Sequence, residues 1–62
     1  MENKNVTVEN AKRGLLIINK NNKEWGTFVI LKKYDEGVYE IRGNRGDCIL
    51  QSDEFNFWEV VK

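Results

Sequence analysis

The side chains with chemical reach in this sequence are two adjacent acid pairs, one thiol, and a set of cations interleaved with tyrosines. The acids are Asp35-Glu36 and Asp53-Glu54, and the thiol is Cys48. Paired carboxylates do general acid and base work when their surroundings drive their protonation apart. Neighbours in sequence, set in turn-like segments, read instead as solvated surface. Histidine is absent, so neither a Ser/His/Asp nor a Cys/His nucleophile can be assembled. Zinc sites of the Cys/His type are excluded on the same ground. Gly43-Asn44-Arg45-Gly46 is rich in glycine, but a phosphate-cradling loop follows a strand and opens a helix. This one leads into an apolar run, Cys48-Ile49-Leu50. A cysteine in such a run reads as a small buried hydrophobe. So short a chain also leaves little room for an enclosed ligand cavity, on the order of 300 Å³ or more. The sequence therefore reads as a non-enzyme, with no catalytic residue, metal site, cofactor or small-molecule substrate evident.

Two binding chemistries remain. Lys32, Lys33, Tyr34, Arg42 and Arg45 mix cations with an aromatic ring, as single-strand nucleic-acid binders do. Residues 12–45 carry eight basic and four acidic residues, whereas 46–62 carry one basic and four acidic ones. The net charge of zero weighs against a dedicated nucleic-acid binder, which usually shows a basic excess across the domain. Nucleic acid is kept as the alternative. The stronger expectation is a protein interface, because seven aromatics and several long apolar runs exceed what one face of so small a domain buries. Exposed aromatics bury large apolar area on binding at low entropic cost. Trp25, Phe55 and Phe57 are the candidates, with a protein partner or a homodimer as the occupant.

Size bounds the rest. Sixty-two residues make one small domain, which buries only about 60% of the surface its unfolded chain exposes. With one cysteine, no intrachain disulfide can reinforce it. Met1-Glu2-Asn3-Lys4-Asn5 lacks the apolar core of a signal peptide, and no run approaches bilayer-spanning length. The expectation is a cytoplasmic protein that does not enter a membrane.

The elements that would position these residues follow from the spacing of the apolar runs. Leu15 to Ile18, Thr27 to Leu31, Val38 to Ile41, Cys48 to Leu50 and Phe57 to Val61 are strand-length and separated by breaks containing Asn, Asp or Gly. That pattern predicts five strands in an all-β domain. Asp35-Glu36-Gly37 and residues 43–47 read as hairpin turns. Ser52-Asp53-Glu54-Phe55 reads as a single helical turn capped by Ser52. Residues 1–6 read as a frayed lead. Beyond them Thr7 either caps a helical turn over 8–13, closed by Gly14, or lies in an extended segment with Val6 and Val8. The alternation predicts a core of Leu16, Ile18, Phe28, Ile30, Tyr39, Ile41, Leu50, Trp58 and Val60, with Cys48 nearby.

An open sheet of this size would leave two bare edges, which closure into a barrel removes. The order of elements resembles the SH3-like small β-barrels over roughly residues 12–62: a long first loop, three meandering strands, a helical turn and a last strand. Lys12-Arg13-Gly14 has the look of the segment that opens bacterial and phage domains of this class. Asp53-Glu54-Phe55 and Trp58-Glu59-Val60-Val61 are similar to their acidic turn and closing strand. The resemblance implies a five-stranded SH3-like barrel of bacterial or phage type, spanning 1–62 as one domain. Signalling SH3 domains carry an Ala-Leu-Tyr-Asp-Tyr-type motif and a Pro-Tyr pair, and this chain has neither. Polyproline recognition is therefore not implied.

Overall fold

In the computed structural model, which describes residues 5–61, the apolar runs become five antiparallel strands in one sheet. They are β1 Leu16–Asn19, β2 Thr27–Asp35, β3 Val38–Gly43, β4 Gly46–Gln51 and β5 Trp58–Val60, in the spatial order β4-β3-β2-β1-β5. The ladder stays open: β4 and β5 are its two ends and are not paired with each other. Short 3₁₀ turns occupy Lys23–Trp25 and Ser52–Phe57. Among the described residues no helix is long and apolar enough to cross a membrane.

The turns are where the sequence says they must be. Gly37 has φ +70°, the left-handed region that favours glycine. A side chain there would also lie 2.5 Å from the Ser52 hydroxyl, so conformation and close approach both require glycine. Only Asn44 and Arg45 separate β3 from β4, so β4 begins at Gly46 rather than at Cys48. Gly43 meets the ring of Phe28, which lies 2.5 Å from where its Cβ would be. The 3₁₀ turn runs on to Phe57 and takes that residue out of the last strand. Its start is tied by the Glu54 carboxylate, which accepts a bond from the Gln51 N–H at 3.4 Å, rather than by the Ser52 side chain.

β2 is the spine. Its first residues pair with β1, and Val29 to Asp35 pair with β3. The β2–β3 register slips twice, between Ile30 and Lys32 and between Lys33 and Asp35. Each slip is a bulge that bends and twists the strand. Tyr34, expected beside Phe28 and Ile30, is thereby turned outward and is 53% exposed.

One face of the sheet holds the core: Val6, Ile17, Phe28, Ile30, Tyr39, Ile41, Leu50, Phe55 and Trp58. Phe28 and Trp58 meet edge to face with centroids 5.2 Å apart, and Tyr39 lies against Phe55 at 5.5 Å. Three expectations need correction. In β1 the inward residues are Ile17 and Asn19, while Leu16 is 44% exposed and Ile18 only half-buried. Four apolar residues in a row carry no phase, and Asn19 sets it. Buried, its Oδ1 accepts bonds from the Asn21 N–H at 2.9 Å and the Asn22 amide at 3.3 Å, which starts the following loop. Cys48 faces the same way as Ile41 but stands on an outer strand and is exposed. Val60 is only partly buried.

The described end of the lead packs on the sheet. Residues 1–4 lie outside the described set, but Val6 is 2% exposed and belongs to the core. Both readings of the next segment are partly met. Asn5 bridges to Glu59, and the Val6 N–H donates to the Trp58 carbonyl at 3.2 Å. Thr7 and Asn10 then cap each other: the Thr7 N–H donates to Asn10 Oδ1 at 2.8 Å, and the Asn10 N–H donates to Thr7 Oγ1 at 3.2 Å. The Ala11 N–H reaches the Thr7 carbonyl at 2.9 Å. The result is one turn, which does not continue to residue 13 as a helix.

Candidate functional site

Trp25 closes the first 3₁₀ turn, its N–H donating to the Asn22 carbonyl at 3.0 Å. Phe57 closes the second and is 49% exposed. The two rings line one open groove of about 390 Å³, together with Cys48, Ile49, Leu50 and Trp58. The volume exceeds what so short a chain suggests, but the hollow lies open at the surface rather than enclosed. Its polar lining is Asn19, Asn21, Asn22 and Glu54. Trp25 and Cys48 also line a second hollow of about 200 Å³, which Arg45 shares. Of the three residues expected at an interface, Trp25 and Phe57 are thus brought together. Phe55 is not: it is 6% exposed and packs on Tyr39 in the core. A single helical turn between strands must send one apolar side chain inward, and here Phe55 is that residue.

The Cys48 thiol on this groove is pushed above its ordinary range by partial burial, and the Asp47 and Glu54 carboxylates act in the same direction. A thiol held protonated is a poor nucleophile and metal ligand. One member of each acid pair serves the backbone: Asp35 Oδ1 accepts the Glu36 N–H at 2.8 Å, and Glu54 ties its own turn. No group of three or more metal-ligating side chains forms among the described residues.

The cationic set lies on the outer face and around the turns. Lys32 stands opposite Glu40 across the β2–β3 ladder, with its ammonium 4.5 Å from the centre of the Tyr34 ring. The Tyr34 hydroxyl donates to the same Glu40 carboxylate at 3.2 Å. Lys33 is 4.0 Å from Glu36. Arg42 Nε donates to Asp47 Oδ1 at 2.6 Å. That bond holds the Asp47 carboxyl below its usual range and raises the Arg42 guanidinium. Lys32, Lys33 and Arg42 therefore each have a carboxylate close by. Arg45 sits apart from them, at the β3–β4 turn.

Ile49 is the residue sequence reasoning passed over. It is 51% exposed on the outermost strand, whereas a three-residue apolar run reads as core. The clues are its place between Cys48 and Leu50, whose expected inward phase turns it outward, and the polarity of its flanks, Asp47 and Gln51. Comparison with protein-family models, curated proteins and solved structures finds no match to this chain.

Proposed function

We propose that the chain is a non-catalytic interaction module of the cytoplasm, binding a protein partner or a second copy of itself through the groove of Trp25 and Phe57. The carrying observation is that Phe57, half exposed on a groove beside half-buried Trp25, presents aromatic surface that no part of the described chain covers. Large exposed apolar side chains gathered on one concave surface are a feature of partner sites. The architecture we infer beneath it is an SH3-like barrel of bacterial or phage type. Support comes from the order β4-β3-β2-β1-β5, the twice-bulged β2 and the 3₁₀ turn before the last strand.

Sedimentation together with an apolar-surface dye tests the reading. The wild-type protein is expected to bind the dye or to associate, and Phe57→Ser, on an exposed side chain, to lose that behaviour while keeping its circular dichroism. A strict monomer that binds no dye would sink it. The nucleic-acid alternative through Lys32, Lys33, Tyr34, Arg42 and Arg45 draws less support, because three of the four cations sit beside carboxylates. It predicts oligonucleotide affinity that falls steeply with salt, and a flat titration at low ionic strength removes it.

A further inference from the structure

The two edges of the sheet are treated differently. Along β5, Asn5 bridges Glu59 and the Val6 N–H reaches the Trp58 carbonyl, so the chain's own lead covers that edge. Along β4 no described strand pairs on the outer side, and only the Gln51 N–H at its end is taken, by the Glu54 carboxylate at 3.4 Å. Its hydrogen-bonding phase can be read. The Ser52 N–H donates to the Gly37 carbonyl at 2.7 Å, just beyond the Val38–Gln51 pair. Alternation along an antiparallel ladder then turns the N–H and C=O groups of Leu50 and Cys48 toward β3, and those of Ile49 and Asp47 outward. Free edges of this kind are templates for another strand, and proteins usually blunt them with lysine, proline or a bulge. Gly46–Gln51 has neither lysine nor proline, and its register with β3 is unbroken.

We propose that a second copy of this chain pairs with β4 antiparallel, about a two-fold axis passing between the two Ile49 residues. This rests on the reading of the chain as an interaction module and names its partner. The occupant follows from charge. Arg45 precedes the strand, and Asp53 and Glu54 follow it. An antiparallel copy centred on Ile49 sets the Arg45 end of one chain against the Asp53 end of the other, twice. It also sets Asp47 against Gln51 and Ile49 against its own counterpart, so no like charges stand directly opposite. The zero net charge adds no general repulsion between copies. Because the β5 edge is covered, β4 of one copy cannot add to β5 of the next. The contact is therefore isologous and closes at two. One strand edge is small as interfaces go, so the association is reversible and depends on concentration.

Sedimentation from about 10 μM to about 1 mM, a span covering weak to moderate affinities, tests it with wild type and Ile49→Lys. Wild type is expected to pass from monomer to dimer. Ile49→Lys, which puts two ammonium groups face to face, should weaken the dimer about tenfold or more with unchanged circular dichroism. Cross-linking checks the register independently. In a Cys48→Ala background, Ile49→Cys should oxidise to a disulfide-linked dimer, because directly opposed residues have Cα atoms about 5.5 Å apart. Val8→Cys, at a side chain 58% exposed but outside β4, should not. A wild-type monomer at the highest concentration overturns the proposal. So does a dimer indifferent to Ile49→Lys, or equal cross-linking at Val8. A dimer dispersed by Phe57→Ser but not by Ile49→Lys overturns the strand pairing and leaves the groove reading standing. A monomer that binds dye does the same.

Discussion

Which of two adjacent aliphatic side chains points inward decides how much each matters to stability. Ile17 is fully buried and pairs with Phe28 across the ladder, while its neighbour Leu16 is 44% exposed. Truncating a buried isoleucine removes its transfer energy and leaves a cavity, together about 2–5 kcal/mol. Truncating an exposed leucine removes little, and surface changes usually stay within about 0.5 kcal/mol. Ile17→Ala is therefore expected to lower stability in urea by about 2–5 kcal/mol, and Leu16→Ala by a small fraction of that. A larger loss for Leu16→Ala than for Ile17→Ala would mean that β1 lies in the opposite phase, with Leu16 and Ile18 inward. Asn19 argues against that phase, because its buried side chain organises the loop after β1 through two bonds. Turned outward, it would leave Asn21 N–H without that acceptor.

At the scale of elements, the N-terminal lead contributes more than its composition suggests. Val6 is in the core, and Asn5 and Val6 supply the contacts that cover β5. A chain beginning at Thr7 should lose stability in urea, and the amides of β5 should exchange faster with solvent. Unchanged exchange there would show the lead to be dispensable. The same segment marks the limit of what the sequence makes legible. Strands β2 and β3 could be read because Tyr39-Glu40-Ile41-Arg42 alternates cleanly and a turn with an obligatory glycine joins them. Tyr39 and Ile41 are legible as core for that reason, and Phe28, Ile30, Leu50 and Trp58, expected in the core on strand periodicity, are buried as well. Runs without polar interruption, such as Leu15 to Ile18, carry strand propensity but no face. Val6 stands alone in a polar stretch, and what buries it is a pairing with residues more than fifty positions away, which no local pattern encodes. Phe55 and Phe57 pose a related difficulty. They are two apart in a 3₁₀ turn, so one faces the core and the other the groove, and only the turn's start, fixed by Glu54, decides which.

For the molecule as a whole, stability rests on packing and pairing alone, since the single cysteine precludes an internal disulfide. The radius of gyration is 10.4 Å, close to the about 10.6 Å expected of a compact chain this long, so the open ladder does not splay the molecule. Its two halves share β2. Ile30 alone pairs with Ile41 of β3, donates its N–H to the Leu15 carbonyl and accepts from the Gly14 N–H. Phe28 carries the connection on to Trp58, and Tyr39 carries it to Phe55 in the turn that leads into β5. Neither the β3–β4 hairpin nor the β1–β5 pair can melt without stripping β2 of a neighbour and opening the aromatic cluster. Folding should therefore be a single cooperative transition, as is usual for small single domains. Tryptophan fluorescence, which reports Trp58 in the core and Trp25 beside it on the groove, and far-ultraviolet circular dichroism, which reports every strand, are expected to give superimposable urea curves. Adding a reductant should move neither. If the fluorescence midpoint falls at a different urea concentration from the dichroism midpoint, the hairpin unfolds separately from the β1–β5 side, and β2 does not couple them as its contacts require.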